Sequence, residues 1–219
     1  MKSVFFIDGF NLYHAVDKHF DNPRYKWLDL RKLSEKFIKK DEEIKGIFYF
    51  TAYCKWDPEK KKRHEKYITA LSKKGVQIVL GKFKRVTKKF TKKMDIISSD
   101  IPQKNLPKRL EFQTFEEKET DVNLALKIVE YASQNIYDHF YVISGDSDFA
   151  PAIKHVKKNF RKVKFTSILP IGGKGYTLGQ ICDDQLEMNE VDISSSLLED
   201  EIMISKNQSI KIPMEYEKP

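Results

Sequence analysis

Cysteine is nearly absent: Cys54 and Cys182 are the only two in 219 residues, and they stand far apart. That excludes a disulfide framework and offers no metal-ligand spacing for structural zinc. A reducing setting fits, and a cytoplasmic location is expected. No apolar run approaches the ~20 residues of a membrane-spanning helix. Only Val4 to Ile7 precede Asp8 as an apolar stretch, too few for a signal peptide, so no membrane partner is expected. Internal repeats are also lacking. The glycines at 172, 173 and 175 around Lys174 match neither a Walker A loop nor GxGxxG, and they read as a flexible turn rather than a nucleotide cradle.

What is present is a globular amount of hydrophobic residue, 40% with 12% aromatic, enough for one domain with a buried core. The charged fraction, 33%, exceeds the usual quarter and implies a strongly ionic surface. The net charge of +8 is unevenly placed. Between Lys82 and Arg109 ten basic residues face only Asp95 and Asp100, whereas Asp183 to Pro219 carries ten acids against three lysines. Such asymmetry favours a polyanionic partner at one place.

Along the chain, apolar strand-like runs alternate with helical spacing. Strands are expected at Val4–Ile7, Ile47–Tyr53, Val76–Leu80, His139–Ile143 and Val163–Ile168. Helices are expected at Phe10–Phe20, from Asp29 through Ile38, from Pro58 to about Lys74 (with Gly75 closing it), from Thr120, over Ser147–Asn159 and near Tyr176–Cys182. Thr120 is read as an N-cap with Asp121 in the first turn. Residues 82–116 interrupt the alternation as a polar, basic insertion, with Lys82–Thr91 and Arg109–Phe115 patterned like hairpin strands. A main unit of 1–190 and an acidic, weakly ordered tail of 191–219 are expected. The alternation predicts an α/β fold, a mostly parallel sheet with helices on both faces.

Four carboxylates stand out. Asp146 and Asp148, in Ser144-Gly145-Asp146-Ser147-Asp148, follow a buried strand directly, as Asp8 follows Val4-Phe5-Phe6-Ile7. Asp121 sits where a helix begins. Ligands in open α/β sheets bind at strand carboxyl ends, and if the strands bearing Asp8 and Asp146 are neighbours, both face one crevice. Each acid alone has a structural explanation in turns or helix dipoles. A cluster instead needs a counter-charge. All-oxygen ligands suit Mg²⁺ or Mn²⁺ over zinc, and such an ion would support hydrolysis of a phosphodiester. Asn11 is placed to orient a phosphate or a metal-bound water, or to cap a helix. In the insertion, Phe83, Phe90 and Phe112 interleave with Lys82, Lys84, Arg85, Lys88, Lys89, Lys92 and Lys93. Aromatic faces with cations make a surface for single-stranded nucleic acid, against the plainer reading of a solvated loop.

Phe5-Phe6-Ile7-Asp8-Gly9-Phe10-Asn11-Leu12-Tyr13, Lys118-Glu119-Thr120-Asp121-Val122 and Ser144-Gly145-Asp146-Ser147-Asp148-Phe149 together resemble the three acidic motifs of the NYN (LabA-like) family, within the PIN-like nuclease superfamily. Relatives often carry Lys-Gly where this chain has Glu119-Thr120. Leu178 to Leu186 is similar to the family's closing helix and strand. The resemblance, over roughly residues 2 to 190, implies a three-layer PIN-like fold with a mostly parallel sheet of about five strands. It also implies an acidic Mg²⁺- or Mn²⁺-dependent site at Asp8, Asp121, Asp146 and Asp148 with Asn11 nearby. The implied activity is cleavage of RNA, expected here to be single-stranded RNA cut endonucleolytically. Two alternatives stay open: a phosphatase-like phosphohydrolase, disfavoured because Phe10 stands where haloacid dehalogenase-type enzymes need a second Asp, and an RNA-binding module without turnover. A homo-oligomer is compatible with either.

Overall fold

The computed structural model describes residues 1–91, 109–160, 162–173 and 175–217. Six parallel strands form the central sheet: β1 (Lys2–Asp8), β2 (Glu43–Thr51), β3 (Gln77–Leu80), β6 (His139–Ile143), β7 (Lys164–Leu169) and β8 (Asp184–Glu187). Their order is β3-β2-β1-β6-β7-β8. The first three strands build outward on one side of β1, and the chain then returns to lay β6 on the other side. The register is continuous from Ser3↔His139 to Ile7↔Ile143. β1 is therefore the most enclosed strand, which explains why it reads as an unbroken apolar run rather than an alternating one.

Alternation still sorts its side chains. Phe5 and Ile7 belong to one core, with Ile47, Tyr49, Tyr141 and Ile143. Val4 and Phe6 belong to the other, with Phe48, Phe50, Phe140 and Val142. The first core is covered by α1 (Gly9–His19), α2 (Leu30–Glu35) and α3 (Pro58–Lys73), through residues such as Leu12, Val16, Leu33 and Leu71. α4 (Thr120–Gln134), α5 (Ala150–Asn159) and α6 (Tyr176–Ile181) cover the second, through Leu124, Ile128, Ile153, Val156 and Leu178. The result is the expected three-layer α/β arrangement, with a sixth strand where about five were expected. That strand, β8, follows α6 where the resemblance at Leu178 to Leu186 implied a closing helix and strand; its exposed sequence, Asp184-Gln185-Leu186-Glu187, has no apolar run to announce it.

The insertion is a hairpin of β4 (Lys82–Thr91) and β5 (Arg109–Lys118), antiparallel from Lys82↔Lys118 to Thr91↔Arg109. Ten residues per strand carry it ~34 Å along its axis. It leaves the sheet at Gly81, whose N–H donates to Thr51 O at 2.8 Å. A Cβ at Gly81 would stand 2.7 Å from Lys118 O, so only glycine lets the two hairpin ends close.

The structure differs from expectation in three places. α5 begins at Ala150 rather than Ser147, because Pro151 lacks an N–H and is tolerated only in a helix's first turn. Glu119, not Thr120, occupies the N-cap of α4; no side chain of its own caps the helix, and the Thr120 N–H donates instead to Glu117 Oε1 at 3.0 Å. The residues after Val191, expected to be weakly ordered, form α7 (Glu190–Ser194), the hairpin β9 (Glu201–Ser205) and β10 (Gln208–Lys211), and α8 (Met214–Glu217). Two forces dock them. Ile193, Leu198, Ile202, Ile210 and Ile212 complete the first core, and the acids meet the body's cations: Glu199 with Lys74 at 2.8 Å and Lys32 at 3.3 Å, Glu215 with Arg63 at 2.9 Å. Trp27, fully buried, donates its indole N–H to Glu199 O at 3.0 Å. The widely spaced isoleucines gave no local period by which to recognise this packing.

Ile212→Ala is therefore expected to destabilise the chain by about 3 kcal/mol, a fall of roughly 6–12 °C in Tm. A melt within a degree of wild type would mean that the C-terminal segment does not pack on the first core.

Candidate active site

The order of strands makes a switch point between β1 and β6, where the helices following each strand diverge to opposite faces and leave a crevice at the carboxyl ends. Asp8 ends β1 and caps α1. Its Oδ1 accepts the Asn11 N–H at 3.0 Å, and its Oδ2 accepts the Ser144 hydroxyl at 2.8 Å. Asp8 is 6% exposed. Burial pushes its carboxyl above the usual range, the bonds from Asn11 and Ser144 oppose this, and the charge of Asp146 adds to the rise. Gly9 follows because α1 leaves β1 against the end of β2: a Cβ there would sit 2.5 Å from Phe50 O.

The turn after β6 is held from both sides. Asp146 N–H donates to Ser144 Oγ at 3.0 Å, and Asp148 N–H to Asp146 Oδ1 at 2.9 Å. Asn11 Oδ1 accepts the Gly145 N–H at 2.9 Å, so α1 and the β6–α5 turn are tied by a direct bond. That is the position of Asn11: a strut across the crevice, with its Nδ2 donating to no described residue.

Asp121 arrives from a third direction, in the first turn of α4. One oxygen each from Asp121, Asp146 and Asp148 lies within 4.8 Å of the others. Asp8 is not part of that triplet; it lies deeper and lines the same cleft of about 510 Å³ with Asn11, Asp121 and Asp146. Burial and then the charges of Asp8, Glu117, Asp146 and Asp148 push the Asp121 carboxyl up to about 6. Asp146 is half-buried and Asp148 exposed. An all-oxygen set of three mutually repelling carboxylates fits a hard divalent cation, which would remove the repulsion that now raises Asp121.

Glu117, at the end of β5, was not singled out from sequence. It lines the cleft, caps α4 through Thr120, and is pushed upward by burial and by the charge of Asp8. The run Glu116-Glu117 carried a weak signal: strand alternation sends one acid outward, where Lys88 and Lys118 hold Glu116 down to about 2, and the other inward. Glu119 between Glu117 and Asp121 has φ 81, a left-handed conformation that costs a non-glycine residue about 1 kcal/mol. Lys18 and His14 from α1 also line the cleft, and the Lys18 ammonium brings it a positive charge.

The hairpin cations do not form one free patch. Lys88 pairs with Glu116 at 2.8 Å, Lys89 with Glu111 at 3.7 Å, and Lys82 with Glu119. Lys84 and Arg85 make no ion pair with a described residue. Lys92 and Lys93 lie outside the described residues. The aromatic side of the hairpin faces inward at its base: Phe83 meets Phe10 edge-on at 5.4 Å, and Phe115 stacks on Trp56 at 3.8 Å. Phe112 is exposed, farther out.

A doubly wound α/β protein with clustered aspartates at its switch point belongs to the class of α/β domains with an acidic strand-end site able to hold a divalent cation. The comparisons narrow this. The NYN domain profile matches residues 2–188, and the chain belongs to the NYN domain family. It is 27% identical over 198 residues to 6-hydroxy-3-succinoylpyridine 3-monooxygenase HspA of Pseudomonas putida, covering 80% of this chain and 61% of that protein. The chain thus spans less than two thirds of that relative's length. The crystal structure of a protein of unknown function from Vibrio parahaemolyticus has the same fold, with a TM-score of 0.52 at 18% identity, covering 90% of this chain and 96% of that one. Among the described residues, no helix is long and apolar enough to cross a membrane.

The raised Asp121 carboxyl has a measurable consequence. With a folded pKa of about 6 against an unfolded value of 3.8, the native chain binds more protons between those values, so ionising Asp121 costs stability as pH rises through that window. Without divalent ions, Asp121→Asn is expected to melt about 2–4 °C above wild type at neutral pH, a figure reduced for the group's partial exposure. The advantage should shrink toward pH 4, and Mg²⁺ or Mn²⁺ should raise the Tm of wild type more than that of the variant. Equal melting of the two proteins at neutral pH would show that neither burial nor the neighbouring acids raise Asp121.

Proposed function

We propose that the chain is a metal-dependent ribonuclease that cuts single-stranded RNA internally. The carrying observation is the convergence of Asp121, Asp146 and Asp148 within 4.8 Å at the switch point, with family membership supporting nuclease-type chemistry. Mg²⁺ or Mn²⁺, when bound, would polarise the phosphate and lower the pKa of a water. Asp146 and Asp148 would hold the ion from one turn, and Asp121 from the opposite helix. With the ion bound, the Asp121 carboxyl would fall from about 6 and stay ionised, a ligand and a hydrogen-bond acceptor for the attacking water. Asp8 acts through position: its two bonded oxygens fix α1 and Ser144, and its charge adds to the burial that raises Asp121. Asn11 and Lys18 line the same cleft and would contact a non-bridging phosphate oxygen. Lys84 and Arg85, without an ion pair among the described residues, would guide the strand, with Lys82, Lys88 and Lys89 released from their acids on contact with phosphates. A cytoplasmic site of action suits RNA as substrate. Phosphatase-like chemistry remains disfavoured by Phe10, and a pure binding role by acids that repel phosphate unless a cation neutralises them.

One observation favours a second reading, action on a small pyridine acid: the similarity to a protein named for hydroxylating a substituted pyridine. The two separate in one assay. Purified chain with Mn²⁺ should cleave an unstructured RNA, and Asp146→Asn should lower the rate at least about 100-fold. Equal rates in both proteins would remove the acidic cleft from the chemistry, and an RNA left intact under Mg²⁺ and Mn²⁺ would turn attention to the pyridine acid.

A further inference from the structure

Beside the acidic cleft lies a second cavity of about 490 Å³ that the carboxylates do not use. Its wall is largely aromatic, with Phe10, Tyr13, Tyr49, Trp56, Phe83 and Tyr216 drawn from five separate parts of the chain. Trp56 meets Phe83 edge-on at 4.7 Å and 88°. An aromatic cluster that served packing alone would close on itself, yet this one surrounds open space and leaves Trp56 43% exposed. The volume is that of a small-molecule site.

Its charges are one-sided. Lys26, Lys60 and Arg63 line it, and Glu117 is the single acid, on the wall shared with the cleft. Lys26 is held by Asp17 and Arg63 by Glu215. Lys60 makes no ion pair with a described residue, leaving one uncommitted cation at an aromatic box. Deeper in, His64 Nε2 lies 3.2 Å from Thr51 Oγ1. Burial holds the His64 pKa down to about 4, so at neutral pH the imidazole is uncharged and supplies a hydrogen bond rather than a charge. Phe10, His14 and Glu117 line both cavities, so a ligand here touches the neighbour of any group held at Asp121 and Asp146.

We propose that this cavity is a nucleobase pocket, in which one base of the bound RNA stacks on the aromatic wall while Lys60 meets its phosphate, holding the adjoining phosphodiester over the carboxylates. The proposal rests on the ribonuclease reading. Aromatic stacking accepts every base, and the Thr51–His64 pair offers an edge contact that would bias the choice among them. The hairpin and the C-terminal helix, which supply Phe83 and Tyr216, thereby have a role in substrate placement beyond their role in packing.

Trp27 is fully buried and Trp56 is not, so Trp56 reports on the pocket by fluorescence. The full chain in EDTA, titrated with the four nucleoside 5′-monophosphates, should show saturable quenching, which ribose 5-phosphate should not reproduce. Lys60→Ala should weaken nucleotide binding about fivefold, the loss of one phosphate contact, and leave the free nucleosides unaffected. Trp56→Phe should abolish the signal while calorimetry still detects binding. No saturable signal at millimolar nucleotide, or equal affinity in Lys60→Ala, overturns the pocket; so does tighter binding of 6-hydroxynicotinate than of any nucleotide. Because EDTA removes turnover, nucleotide binding by a chain that cleaves no RNA would sink the ribonuclease reading alone, and cleavage without mononucleotide binding would sink the pocket alone.

Discussion

The parallel pairing of β1 with β6 is the constraint on which the site depends. These strands are far apart in sequence, yet their register puts Ile7 beside Ile143 and so sets Asp8 level with Ser144. The 2.8 Å bond between Ser144 Oγ and Asp8 Oδ2, and that from Gly145 N–H to Asn11 Oδ1 at 2.9 Å, lock the two strand ends together. A buried carboxylate needs such partners, because its desolvation would otherwise favour neutralisation. Asp8 thus costs stability by itself, and its hydrogen bonds recover part of that cost. The same geometry aims the turn bearing Asp146 and Asp148 at Asp121.

The amino ends of the strands carry a second buried polar knot. Glu42 accepts from Ser3 at 2.6 Å and from Tyr141 at 2.8 Å, and bonds His139 Nδ1 at 2.8 Å, while His139 Nε2 meets Thr166 Oγ1 at 2.8 Å. Burial pushes the Glu42 carboxyl up, and these hydrogen bonds outweigh it, leaving the group below its usual range. The contrast with the carboxyl ends is chemical. Where the acid is singular and fully bonded, it is structural. Where acids crowd and carry too few donors, as at Asp121, the site asks for a cation.

Charge in this chain is largely spent on itself. The basic strand β4 lies against the acids of β5, and the C-terminal acids pair with lysines and arginines of the body. Pairing leaves the net charge at +8 but lowers the number of cations free to meet a polyanion. Among the described residues, the cations near the site without an ion pair include Lys84 and Arg85 on the hairpin, Lys60 in the aromatic cavity and Lys18 in the cleft.

The sheet, its helices and the aspartates were legible because each is written locally: Val4-Phe5-Phe6-Ile7 and Phe140-Tyr141-Val142-Ile143 are buried strands whatever surrounds them, and an acid directly after such a run has few structural reasons to be there. Pro151 placed the start of α5 just as locally, for a reason the apolar spacing alone had missed. Tertiary structure alone decided the rest. The N-cap of α4 passed from Thr120 to the reach of Glu117 because the hairpin base delivers that carboxylate from another element. The C-terminal segment packs because five isoleucines and leucines, each unremarkable in its own window, find one core, and because its acids find cations more than a hundred residues away. The division of the aspartates, Asp8 as buried anchor and the other three as an open cluster, also depends on depth beneath the switch point, a distance no sequence spacing encodes.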